Sequence, residues 1–123
     1  MEVNPLPRKS MESLTETMFY VLMALNCGDM CGADIAAFAK IRSFDRVELG
    51  PATLYTILSK FEKEGYIREV AVEGRKRTYT LTPEGAAAYR EELDRLRACI
   101  ADAEKGADYE ATPDQALCPL PAR

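Results

Sequence analysis

The chain has 123 residues, a length that suits one domain of modest size. Hydrophobic residues make up 47% and charged residues 29%, which excludes a wholly disordered chain. The longest unbroken apolar run, Met18–Leu25, is eight residues, whereas a membrane-spanning helix needs ~20. Histidine and tryptophan are absent, so the chain offers no Ser–His or Cys–His nucleophile pair and no imidazole zinc ligand.

The formal net charge is −4, unlike that of a typical nucleic-acid binder, but the charge is unevenly spread. Residues 101–123 hold two basic and five acidic side chains. Between Lys40 and Thr80 nine basic residues face six acidic ones, so the middle of an acidic chain is locally basic. Arg8 and Lys9 precede the apolar run in the manner of a signal peptide, yet Glu12 and Glu16 fall where uninterrupted apolar residues are needed and no A-x-A-like cleavage site follows. The expectation is a cytoplasmic protein with reduced cysteines and no membrane partner.

Residues 1–12, with two prolines, are expected to be a flexible arm, and residues 13–82 one folded domain. Ser13 or Thr15 can cap a first helix over 14–26, with Glu16 in its first turn and Gly28 as its stop. Leu14, Met18, Val21, Leu22 and Leu25 share one face, and Phe19, Tyr20 and Met23 lie on the other. A helix apolar nearly all round is buried on both sides. A chain this small has little left to cover the second side, so a second subunit is expected there. Asp29 can cap a second, alanine-rich helix over 30–41.

Gly50-Pro51 opens a third helix, 51–64, stopped by Gly65. At 100° per residue Leu54, Ile57, Leu58 and Phe61 form one stripe. Ala52, Thr56, Ser59 and Lys63 lie opposite, flanked by Tyr55 and Lys60. Two strands follow, 66–72 and 78–81. Glu73-Gly74-Arg75-Lys76-Arg77 between them supplies a turn and three consecutive cations. Thr82-Pro83-Glu84 starts a last helix that extends to about residue 106. Within it Tyr89, Leu93, Leu96, Ile100 and Ala103 recur at heptad spacing, with nothing later in the chain to cover them. Residues 107–123, with three prolines, are expected to be a flexible tail.

The order helix, helix, helix, hairpin, long helix is that of a winged helix-turn-helix. The expected fold class is mainly α with a small β-hairpin, followed by a C-terminal dimerisation helix over 83–106. A helix fits the DNA major groove and its outward side chains reach base edges. Ala52, Thr53, Tyr55, Thr56, Ser59, Lys60 and Lys63 on the third helix are the candidate contacts, with Arg75, Lys76 and Arg77 on the wing. Cations on phosphates supply affinity, and hydroxyls on bases supply specificity.

The stretch Leu49-Gly50-Pro51-Ala52-Thr53-Leu54-Tyr55-Thr56-Ile57-Leu58, with Glu62-Lys63-Glu64-Gly65-Tyr66-Ile67, resembles the PadR family of transcriptional regulators. So does the run from Glu73-Gly74-Arg75-Lys76-Arg77 through Thr82-Pro83-Glu84-Gly85. The resemblance spans roughly 14–100 and is to the compact subfamily with a single C-terminal helix. It implies a homodimeric repressor on a palindromic operator, released by a small aromatic or drug-like effector. Some similar compact members stack flat ligands on tryptophans of the last helix, and this chain has none.

Leu14, Phe19, Met23, Tyr89, Leu93, Leu96 and Ile100 are the expected dimer interface, because leaving them bare would expose a large apolar patch. Met18, Phe19, Met23, Tyr89, Leu93 and Leu96 are the expected lining of an effector cavity. No cofactor and no catalytic residue is expected, since the carboxylates are scattered and no glycine-rich phosphate loop is present. Two alternatives remain open at this level. One is a winged-helix assembly module without DNA. The other is a metal or thiol sensor built on Cys27 and Cys31, whose C-x3-C spacing falls at the first helix–helix turn.

Overall fold

A computed structural model describes residues 14–106. Four helices, α1 (Glu16–Cys27), α2 (Gly32–Arg42), α3 (Pro51–Lys63) and α4 (Pro83–Lys105), combine with three strands, β1 (Met30–Cys31), β2 (Ile67–Glu73) and β3 (Lys76–Leu81). The expected arm and tail lie outside the described residues. The chain divides into two compact units, one ending at Leu93 and the other starting at Asp94, so α4 begins inside the first unit. None of the described helices is long and apolar enough to cross a membrane.

Thr15 caps α1, its hydroxyl accepting from the Met18 N–H at 3.2 Å. Val21, Leu22, Ile35 and Phe61 are almost fully enclosed, and Leu54, Ile57, Leu58 and Tyr66 close the core around them. The stripe anticipated on α3 is the face that is buried.

The sheet departs from the expected two-stranded hairpin. Its order is β1-β3-β2, with all pairs antiparallel. Residues Met30 and Cys31, expected to open α2, instead pair with Tyr79 and Thr78. Asp29, expected as the α2 cap, accepts from the Thr80 hydroxyl at 2.6 Å. The cap position falls to Cys31, whose N–H donates to Asp34 Oδ2 at 3.4 Å. The side chain of Asp29 therefore pins β1 to β3 rather than closing a helix, and the α1–α2 turn is drawn onto the wing. The second difference is the turn itself. β2 runs to Glu73 and β3 starts at Lys76, so Gly74, at φ 66°, and Arg75 alone form the tip. Positive φ suits a residue without Cβ. A register shift between Glu69 and Ala71 leaves Val70 out of the ladder, which accounts for the imperfect alternation of that strand.

The start of α4 is fixed by contact as well as by its cap. The Thr82 hydroxyl accepts from the Gly85 N–H at 3.0 Å and donates to the Gly65 carbonyl at 2.6 Å. Gly85 lies against the chain at Tyr66 so closely that a Cβ there would sit 2.1 Å from the Tyr66 carbonyl oxygen. One hydroxyl and one missing methyl thus seat the last helix on the junction between α3 and β2.

Candidate nucleic-acid interface

Gly50 and Pro51 start α3 in a conformation proline favours, and Leu54 N–H closes its first turn onto the Gly50 carbonyl at 2.9 Å. Because Leu54, Ile57, Leu58 and Phe61 turn inward, Ala52, Thr53, Tyr55, Thr56, Ser59, Lys60 and Lys63 all face outward. Tyr55 is 68% exposed, which removes it from the core. The Thr56 hydroxyl donates to the Ala52 carbonyl at 3.0 Å. Its proton is committed along the helix, and its lone pairs remain able to accept.

On the wing, Arg75, Lys76 and Arg77 are exposed. Arg77 is tied to Glu69 on the neighbouring strand, Nη1 donating to Oε1 at 2.7 Å, and this carboxylate raises the guanidinium above its ordinary pKa. Among the described residues neither Arg75 nor Lys76 has an ion-pair partner. The wing and the third helix meet. Tyr55, Pro51, Arg75, Lys76 and Arg77 border one open cleft of about 680 Å³. On the other flank of α3, Ala52, Thr53 and Thr56 share a shallower recess with Thr15, Thr17 and Met18 of the α1 start.

The basic middle of the chain is less uniform than its count suggests. Lys40 is held by Glu48 at 3.1 Å and Asp45 at 3.7 Å, and the hydrogen bond to Glu48 is the main cause of its raised pKa. Arg42 lies over the Phe38 ring at 4.6 Å. Arg46 donates to Glu16 and, at 3.2 Å, to the Tyr20 hydroxyl, joining the α2–α3 turn to α1. Glu16 likewise raises the Arg46 pKa. These three cations brace the fold. Lys60, Lys63, Arg75 and Lys76 are left to carry the outward field of the candidate face.

The Transcriptional regulator PadR-like family matches residues 21–91, more than half of the chain. The chain belongs to this family. The PadR-like protein is therefore a DNA-binding transcription regulator of winged-helix fold, and the family is one of regulators rather than enzymes. No curated protein matches it. A transcriptional regulator from Clostridium thermocellum is similar over 76% of this chain and 97% of its own, with 25% identity and a TM-score of 0.65. A PadR family transcription regulator from Clostridium difficile shares 18% identity over 76% of this chain and 99% of its own, with a TM-score of 0.64. RosR from H. salinarum shares 21% over 80% and 98%, with a TM-score of 0.60.

Of the residues expected at a dimer contact or effector cavity, Phe19 is buried within its own subunit and stacks on Tyr89. Leu14, Met18, Met23, Leu93 and Leu96 are half-buried, and Ile100 is exposed. Cys31 is buried and its Sγ–H donates to Asp34 Oδ2 at 3.3 Å, while Cys27 is exposed. The described residues gather no set of three or more metal-ligating side chains. Sequence patterning missed Gly32, Ala33 and Asp34, which border the wing cleft. The pairing of β1 with β3 brings them there, and a two-residue strand leaves no periodic signal.

Proposed function

We propose that the PadR-like protein is a ligand-responsive repressor that binds a palindromic operator as a homodimer. The observation that carries this reading is the shared exposure of Thr53, Thr56, Ser59, Lys60 and Lys63 on α3 with Arg75 and Lys76 on the wing, opposite a fully apolar core stripe. In this reading α3 enters the major groove. Ser59 and Thr56 meet base edges, Thr56 as an acceptor, and Lys60 and Lys63 meet phosphates. Arg75 and Lys76 hold the flanking backbone or minor groove, and Arg77 joins them if it exchanges Glu69 for a phosphate.

Dimerisation is supported by the heptad positions of α4. Ile100 is 57% exposed, and Leu93 and Leu96 are only half-covered. Pairing these with the half-buried Leu14 and Met23 of a second copy would bury them. A two-fold axis then sets the two third helices in successive major grooves, about 34 Å apart. An effector lodged among Met18, Phe19, Met23, Tyr89 and Leu93 would alter that spacing, and it releases DNA only by as much as it prefers the released geometry.

The test is a selection from random duplex DNA with purified protein, followed by binding at graded salt. A palindrome should emerge, and affinity should fall ~10³–10⁵-fold between about 50 and 200 mM salt if about 6–10 phosphates are contacted. Weak, salt-insensitive binding with no enriched sequence would instead identify a protein-assembly module. Sedimentation at micromolar concentration should return a dimer.

A further inference from the structure

The cleft between the α2 start, α3 and the wing has a second use written into its walls. Its inner surface is apolar, built from Leu54, Leu58 and Tyr79 against the bare backbone side of Gly32 and the methyl of Ala33. Its outer wall carries Arg75, Lys76 and Arg77. The Asp34 carboxylate also borders it but already accepts from the Cys31 N–H and Sγ–H. Arg77 is balanced by Glu69, which leaves Arg75 and Lys76 to set the sign of the rim. A space of about 680 Å³ is within the range of small-molecule sites, which pair a mostly apolar lining with a few charged groups that fix orientation.

We propose that this cleft binds an amphipathic organic monoanion, an alkyl-chain carboxylate whose chain lies on Leu54, Leu58 and Ala33 and whose head group meets Arg75 and Lys76. The branched aliphatic wall suits a flexible alkyl chain, and charge complementarity selects the anion over a neutral or cationic amphiphile. The inference deepens the DNA-binding reading, because the head group occupies the cations that would hold a phosphate. The ligand is then a direct competitor of DNA. This differs from an effector in the subunit interface, which acts through geometry and whose influence levels off at a finite coupling factor, ~5–150-fold.

The probe is sodium decanoate below its micelle concentration, with 1-decanol and decyltrimethylammonium as neutral and cationic counterparts. Calorimetric titration of the full-length protein without DNA should give one decanoate per chain and no comparable uptake of the other two. Ala33→Trp fills the cleft from an exposed position on the first turn of α2 and should abolish uptake. Arg75→Gln with Lys76→Gln should weaken it severalfold without unfolding the protein, as circular dichroism would verify. With a duplex enriched by the protein, decanoate should raise the apparent Kd for DNA without a plateau, by about tenfold per cleft and so by about 100-fold at roughly ten times its own Kd where both clefts of a dimer must be empty. Equal uptake by the Ala33→Trp variant, or of the cationic amphiphile, overturns the site. A plateau overturns competition. If the protein enriches no duplex, the regulator reading fails while the titration still decides the cleft.

Discussion

The rings of Phe19 in α1 and Tyr89 in α4 stack within one subunit, centroids 5.2 Å apart and planes 20° from parallel. The contact lies inside the first compact unit and fastens the opening turns of α4 to the winged domain. Phe19→Ala removes a buried ring and should cost ~3–5 kcal/mol, whereas Tyr89→Phe keeps the stack and should stay within about 0.5 kcal/mol. Urea unfolding at fixed protein concentration measures both. Equal, small losses would mean that the stack contributes little to holding α4.

Gly85 makes a harder prediction about the same helix. A Cβ there meets the Tyr66 carbonyl oxygen at 2.1 Å and Leu81 Cδ1 at 2.8 Å, and backbone gives way less readily than a side chain. Gly85→Ala should therefore lose at least the ~1–3 kcal/mol typical of overpacking, although alanine is the better helix former. A lowered urea midpoint is expected. An unchanged or raised midpoint would show that α4 can shift away from β2 at no cost.

The contact residues divide by what their loss should do to DNA binding. Lys60→Gln, Lys63→Gln and Lys76→Gln should weaken binding to all sequences and lower the salt slope by about 0.9 for each phosphate contact removed. A dimer counts each substitution twice. Arg77→Gln should cost less than Lys76→Gln, because Glu69 already competes for that guanidinium. Thr56→Val should leave the slope alone and relax preference at one base pair per half-site, by about 1–3 kcal/mol. Since Thr56 already donates to Ala52, the preferred base there should present an amino group, as adenine and cytosine do in the major groove. Competition binding with a panel of single-base operator variants checks this.

Three of the four helices were legible in the sequence because they carry local punctuation at their starts: Thr15 for α1, Gly50-Pro51 for α3, and Thr82-Pro83-Glu84 for α4. The α3 stripe was legible because its buried face is clean. What escaped was long-range. Asp29 looks like a helix cap to a local rule, yet its partner is Thr80, 51 residues on. Beside it Met30 and Cys31 pair with β3 as a strand, which carries Gly32, Ala33 and Asp34 to the wing. Charge counting marked the basic middle but could not say which of its cations are free, for a related reason. Arg46 and Lys40 are held by Glu16 and Glu48, and neither pairing is a helical neighbour.

Tyr79 gives the fold an alkaline limit. Burial is the main cause that pushes its phenol above the ordinary value of 10.0, with Glu62 and Glu69 adding to the effect and Arg77 opposing it. The native state therefore keeps this proton at a pH where the unfolded chain has begun to release it. Stability from Tyr79 is fully present below the unfolded value and is lost as pH rises through the higher folded one. Lys40, also raised by its carboxylates, loses its contribution in the same direction, though from an exposed site. Tyr79→Phe should accordingly remove part of the stability loss above pH ~10 while leaving the Lys40 part in place. Urea midpoints for wild type, Tyr79→Phe and Lys40→Met across the alkaline range separate the two. If Tyr79→Phe retains the whole alkaline decline, the phenol does not ionise more readily in the unfolded chain, and β3 admits water where the core now excludes it.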